Sequence, residues 1–185
     1  MNTPMNTGAP KLGGIHHAAY RCKDTMETVE WYNRVLGMEY VSAFSENTVP
    51  STGEHDPYMH VFLDAGNGNV LAFFELPARP EMGRDVNTPA WVQHLAFRVG
   101  SEPELLSAKE HIEAQGVDVL GPAHHGIFKS IYFFDPNGHR IELAADIGTA
   151  EQYAQLKRVA MPMLEEWNTT KKAPRHASWL HSANE

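Results

Sequence analysis

Two stretches of the chain repeat one pattern of apolar and polar positions. From His17 the sequence reads HAAYRCKDTMETVEWYNRVLGMEYV, and from His94 it reads HLAFRVGSEPELLSAKEHIEAQGVDVL. Each has His, Ala two residues later, an aromatic residue at three and Arg at four, then a polar break, a helical pattern and a Gly. The His-to-Gly spacing is 20 residues in the first copy and 22 in the second. Residues 14–21 and 91–99 are short apolar runs rich in aromatic and β-branched side chains, which predicts strands. Asp24 and Ser101 are placed to cap helices, with Glu27 and Glu104 at capping-box spacing. Met26, Val29, Tyr32 and Val35 form the apolar stripe of the first helix, and Leu105, Ala108 and Ile112 that of the second. Gly37 and Gly116 are expected to end them.

Three further strands follow each helix, at about 38–44, 58–64 and 69–76, then at about 117–121, 129–134 and 139–145. Residues 45–57 read as a polar loop, and residues 77–90, with three Pro and one Gly, as a link between the halves. The organisation is βαβββ twice, an α+β arrangement. A helix is expected from Thr149 to about Ala160, and Pro162 should open a new one carrying Met163, Leu164 and Trp167. Residues before about Lys11 and from 168 onward read as loosely ordered.

Composition narrows the class. The 185 residues are 42% hydrophobic and 21% charged, enough for one domain or two small modules sharing a core. Fifteen Lys and Arg against 23 Asp and Glu leave a net charge of −8, and no basic run exceeds Lys171-Lys172. Nucleic acid and anionic membrane are therefore not expected partners. Cys22 is the single cysteine, so an intramolecular disulfide is excluded and a reducing cytoplasm is expected. No apolar run approaches the roughly 20 residues of a membrane span, and the N-terminus does not read as a signal peptide.

The eleven His gain meaning from strand parity. Residues two apart in a strand share a face. His17, Ala19 and Arg21 share one, and His94, Ala96 and Arg98 share its counterpart, so the repeat pairs His94 with His17 rather than His16. In DPNGHRIEL, Glu142 shares a face with Arg140 and Ala144, between apolar Ile141 and Leu143. Two His and a carboxylate from three strands can close on one metal with open positions. The same residues also fit two hydrogen-bonded strand His and a Glu paired with Arg.

The duplicated βαβββ, the helix end Trp31-Tyr32-Asn33-Arg34-Val35-Leu36-Gly37 and the segment Asp135-Pro136-Asn137-Gly138 followed by Glu142 resemble the vicinal oxygen chelate superfamily. Its members include glyoxalase I, bleomycin- and fosfomycin-resistance proteins, an epimerase and type I extradiol dioxygenases. The resemblance covers about residues 13–147. It implies one domain of two modules, 13–77 and 91–147, curled into a cup-shaped mixed sheet, with 148–185 as a C-terminal helix and tail. It implies metal ligands at His17, His94 and Glu142. Glyoxalase-like members add a strand-4 Glu where Gly68-Asn69-Val70-Leu71-Ala72-Phe73 has Ala72; Glu75 would serve only through a bulge.

Three ligands with strand 4 unused is the extradiol pattern. Asp56-Pro57-Tyr58-Met59-His60-Val61-Phe62 and Leu71 to Pro77 make the small single-domain enzymes acting on biphenyl-diol-type catechols the nearest resemblance. That implies Fe(II), with Mn(II) also suiting the triad, and a small aromatic diol and O2 as substrates. A homodimer or higher homo-oligomer is the family-level expectation. Tyr132, ten residues before Glu142, would contact substrate, and His124-His125 would be a loop His. Core packing beside Phe133 and Phe134, and a wet loop, are the alternatives for these. Larger extradiol enzymes carry an acid–base His where Asn69 stands. The resemblance leaves Asn69 a catalytic place in which it can hydrogen-bond superoxide or a substrate oxygen, but it cannot shuttle a proton, so His60, His124 or His125 would take that role. Phe73, Trp91, Phe128 and Phe134 would form an aromatic wall. The alternatives are a glyoxalase I-like lyase or isomerase using Zn(II) or Ni(II) and Glu75, and a metal-free drug-sequestering protein.

Overall fold

The computed structural model describes residues 10, 13–173 and 179. Most of the expected N-terminal lead-in, and the tail at 174–178 and 180–185, lie outside the described residues. The chain divides into two compact units, Met1–Gly83 and Arg84–Glu185.

Unit one runs β1 (Ala18–Cys22), α1 (Thr25–Leu36), β2 (Glu39–Thr48), β3 (His55–Asp64) and β4 (Val70–Glu75). Its four-stranded sheet has the order β1-β4-β3-β2, with β1 parallel to β4 and the other pairs antiparallel. Unit two repeats this as β5 (His94–Val99), α2 (Glu102–Ala114), β6 (Leu120–His124), β7 (Phe128–Phe134) and β8 (Arg140–Asp146), in the order β5-β8-β7-β6. It also carries α3 (Ala150–Thr170). The predicted βαβββ duplication is thus the observed topology.

The helices start and stop for the expected reasons. The Asp24 carboxylate accepts from the Glu27 amide at 2.8 Å, and Ser101 Oγ accepts from the Glu104 amide at 3.4 Å. Such caps satisfy otherwise orphaned N–H groups and contribute about 1 kcal/mol each. Gly37 closes α1 at φ 67°, a left-handed conformation that costs other L-residues. The α1 stripe differs from expectation: Met26 is exposed and Val29 half-buried, whereas Thr28, Trp31, Tyr32 and Val35 are buried. That set follows the i, i+3, i+4, i+7 spacing of a true helix rather than a three-residue repeat.

Each helix covers one face of its own sheet. Trp31, Tyr32 and Val35 of α1 are buried with Val61, Leu63, Leu71 and Phe73, and Leu105 and Ile112 of α2 with Ile131, Phe133, Ile141 and Leu143. Burying an aliphatic side chain of this kind contributes about 1.5–3 kcal/mol before the entropy cost. Because strand residues alternate, the opposite faces hold Ala19, Phe62 and Ala72 in unit one, and Ala96, Tyr132 and Glu142 in unit two.

Several boundaries are corrected. β1 begins at Ala18 and β5 at His94, so residues 14–17 and 91–93 are not strand. β2 and β3 extend into the expected 45–57 loop, leaving a turn at residues 49–54. β6 begins at Leu120, so residues 117–119 are not strand. Pro162 lies inside α3, which is one helix from Ala150 to Thr170, including residues expected to be loose. No residue of α3 is buried, so a carbonyl that loses its N–H partner to Pro162 can be solvated. Among the described residues no helix is long and apolar enough to cross a membrane.

Candidate metal and substrate site

The strongest cluster of polar side chains is on the face of unit two's sheet away from α2. β8 places Glu142 in register between Ala96 of β5 and Tyr132 of β7. The two small Ala residues of the repeat thus have different neighbours: Ala19 faces Ala72, whereas Ala96 faces Glu142. Register therefore identifies Ala72 as the strand-4 counterpart of Glu142.

Glu142 is only 4% exposed although it lies on the face away from the helix. A buried carboxylate needs compensating partners. Ser130 Oγ donates a short hydrogen bond to Oε1, the Tyr132 hydroxyl lies 3.3 Å from the same oxygen, and His94 Nε2 lies 2.9 Å from Oε2. Ser130 escaped sequence reading. Its signal was parity, because in FKSIYFF it sits two residues before Tyr132 on the same face.

His94 carries the decisive detail. Its Nδ1 is 3.0 Å from the Val92 carbonyl, which can only accept, so Nδ1 bears the proton. Nε2 then faces Glu142 Oε2 with a lone pair against a lone pair unless a cation lies between them. A proton on Nε2 is one such cation and a metal ion is the other. Anchoring the far ring nitrogen on a backbone carbonyl is how metal-binding His are commonly oriented. A spacing near 3 Å also suits two adjacent donors each about 2.1 Å from one ion. The pair therefore fits a metal.

His125 and Tyr132 extend this cluster. Tyr132 Oη lies 2.8 Å from His125 Nε2, so one hydroxyl proton is poised between an imidazole and the Glu142 carboxylate. Burial, above all, and then the Glu142 charge push the Tyr132 phenol above its ordinary range, outweighing the opposing effects of Ser130 and Arg140. Tyr132 is thus neutral near pH 7. The Arg140 guanidinium lies 4.1 Å over the Tyr132 ring, and Phe128 stacks on His125 at 4.7 Å. His124 does not join: it is exposed, and its Nδ1 accepts from the Gly126 amide at 3.0 Å.

Unit one holds the other candidates. His17 lies just before β1, with Nδ1 2.7 Å from Nδ1 of His16. Its ring is 6.1 Å from that of His60 and 5.9 Å from that of Phe62. His60 is 9% exposed, stacks on Phe74 at 3.5 Å, and its Nε2 has no hydrogen-bond partner among the described residues. Burial first, then the neighbouring His17, lowers its affinity for a proton. Unfolding would restore an ordinary value near 6.5. Below that pH the unfolded chain binds more protons, so stability falls as pH drops through the lower folded value. The metal-free His60→Phe protein should therefore lose less melting temperature between pH 7.5 and 5 than the parent; equal losses would count against this.

Two expected roles are corrected by geometry, and Glu75 takes the side that an undistorted strand implies. Asn69 precedes β4, and its side-chain amide donates to the Gly66 carbonyl at 3.0 Å, so it braces the β3–β4 turn. Phe73 is fully buried, 5.0 Å from the Tyr32 ring on the α1 side, so it is core and not substrate wall. Glu75 shares that side, because the register of β4 runs unbroken from Val70 to Glu75. Its Oε2 accepts from the amide and hydroxyl of Thr25, at 2.8 and 2.7 Å, at the start of α1. Glu75→Ala should cost about 1–2 kcal/mol, like the loss of a helix cap. Calorimetry should show metal affinity unchanged, and a large loss of affinity would restore Glu75 as a ligand.

Of the other wall residues, Trp91 and Phe134 line a groove of about 880 Å³ together with Leu120, Tyr132 and Arg140. Among the described residues no group of three His, Cys, Asp or Glu is gathered closely enough to hold a metal.

Comparison with known proteins agrees with this frame. Residues 14–143 match the family model of the glyoxalase/bleomycin resistance protein/dioxygenase superfamily. A Bacillus subtilis protein named as a ring-cleaving dioxygenase, MhqA, is 34% identical over 140 residues, 74% of this chain and 41% of that protein. Biphenyl-2,3-diol 1,2-dioxygenase 3 of Rhodococcus globerulus is 27% identical over 142 residues, 76% of this chain and 65% of the enzyme. The chain thus spans under two thirds of either relative. The fosfomycin resistance protein FosX of Listeria monocytogenes, solved with Mn(II) and sulfate, superposes with a TM-score of 0.53 at 23% identity, covering 78% of this chain and 99% of FosX. Lactoylglutathione lyase of Agrobacterium tumefaciens does so at 0.52 and 21%, covering 74% and 96%. With its duplicated topology, its register and the match over residues 14–143, the chain belongs to the glyoxalase/bleomycin resistance protein/dioxygenase superfamily.

Proposed function

We propose that this chain acts as an extradiol ring-cleaving dioxygenase on a catechol-type aromatic of the biphenyl-2,3-diol kind, with Fe(II) held by His17, His94 and Glu142. Mn(II) suits the same donors. The observation that carries the reading is the His94–Glu142 pair, whose facing donors call for a cation. The named relatives support the reaction class. The engagement of Glu75 with Thr25 weighs against a four-ligand lyase.

Bound there, the ion would supply a template and an electron path between diol and O2. The chain supplies the rest. Ser130 holds one Glu142 oxygen so that the other faces His94. Tyr132 offers its hydroxyl to a substrate oxygen, and His125 takes or returns the proton through that hydroxyl. His60, kept neutral by its aromatic surroundings, adds no charge beside His17. Phe128, Trp91 and Phe134 provide apolar surface for the ring substituent.

The test is O2 uptake by anaerobically purified, Fe(II)-reconstituted protein given catechol or 2,3-dihydroxybiphenyl. Uptake with a yellow ring-fission product is expected. Tight metal binding without uptake on a panel of catechols would overturn the assignment.

A further inference from the structure

We infer that the groove beside Tyr132 binds an anionic group on the aromatic substrate, a carboxylate on a short side chain, through Arg140 with Arg84 assisting. This rests on the diol reading for the ring and adds the charge of its substituent.

Two cations of this acidic chain lie over aromatic rings rather than beside a carboxylate. Acidic groups outnumber Lys and Arg by 23 to 15, and three guanidiniums are paired with carboxylates. Arg79 pairs with Glu54 and Asp56, Arg98 with Asp146, and Arg158 with Glu151. Arg140 and Arg84 have no carboxylate within ion-pair distance among the described residues. Each lies instead over an aromatic ring of the groove, Arg140 over Tyr132 at 4.1 Å and Arg84 over Phe134 at 5.5 Å. A guanidinium lying over a ring can still direct its N–H fork outward, the geometry that binds a carboxylate with two hydrogen bonds.

Position matches a substrate. Arg140 is in register with His94 and two residues before Glu142 on the same face, about 7 Å along the strand. That is about the span from a ring-bound oxygen to a carboxylate on a short chain. Trp91, Leu120 and Phe134 give apolar walls between. Of the two acidic residues lining the groove, Glu113 is already paired with Lys109, which leaves Asp118 against two cations.

The experiment compares 3-(2,3-dihydroxyphenyl)propanoate with its methyl ester on the Fe(II)-reconstituted full chain. Calorimetry of 3-phenylpropanoate against 3-phenylpropanol on the same protein gives a readout without turnover. The parent should favour the acid in both. Arg140→Gln, which keeps a planar group over Tyr132 without the charge, should reduce the acid-to-ester ratio of kcat/KM about 10–100-fold, through KM. Arg140→Lys should recover part of it. No preference for the acid in the parent, or an equal fall for acid and ester in Arg140→Gln, would overturn the inference and leave Arg140 a prop for Tyr132. If phenylpropanoate binds through Arg140 but no diol is cleaved, the dioxygenase reading fails and the anion site stands. If catechols are cleaved without acid preference, the reverse holds.

Discussion

The His94→Ala protein should fold and bind no Fe(II). His94 starts β5 and its side chain is 32% exposed, so its loss empties little of the core. Its loss leaves Glu142 with Ser130 and Tyr132, so some stability is lost, about 1–3 kcal/mol for a missing charge-assisted partner. The functional effect is far larger. Imidazole is the donor whose Nδ1–H···O=C anchor points Nε2 at Glu142, and no neighbouring side chain replaces it. In the parent, Fe(II) at about 1,000 times its dissociation constant should add roughly 4 kcal/mol to stability. In His94→Ala that gain in melting temperature should vanish, with ring cleavage undetectable. A variant that still gains the same stability from Fe(II) would remove His94 from the ligand set.

The second large effect concerns the pair formed by Tyr132 and His125. If the imidazole moves a proton through the phenol, Tyr132→Phe and His125→Ala should each lower kcat about 10²–10⁴-fold, the range of one positioned proton-transfer group. Fe(II) affinity should change much less, because neither side chain faces Glu142 Oε2. The double variant should be hardly worse than either single one, since groups acting as a unit lose their joint contribution once. Losses that multiply, or that appear only in KM, would show instead two independent binding contacts.

Much of this site was legible from one dimension. Strand parity set His94 beside Ala96 and Glu142 beside Arg140 and Ala144, and the register that pairs Ala96 with Glu142 puts those two sets on one face. The family resemblance implied Ala72 as the counterpart of Glu142, and the parallel register of first and fourth strands in both modules gives the same pairing. Residues misread from sequence share a cause. The roles of Phe73 and Asn69 depend on which side of a sheet or turn they occupy, which proximity in the chain does not give. Glu75 caps a helix that starts fifty residues earlier, a contact no local pattern encodes.

Local chemistry was sufficient for the elements that it controls. Caps at Asp24 and Ser101, the left-handed Gly37 and the doubled βαβββ all follow from short-range geometry and side-chain alternation, which the sequence carries directly. Tertiary structure alone decided the rest. It placed the His125 imidazole, beyond the end of β6, 2.8 Å from the Tyr132 hydroxyl, while His124 Nδ1 accepts from the Gly126 amide. It brought in Ser130 as the donor that makes a buried carboxylate tolerable, and it left Arg140 over a ring without an acid of its own. Those outcomes rest on side-chain contacts between neighbouring strands and in the turn beyond β6. Periodicity tells which face a residue takes, but only packing tells what it meets there.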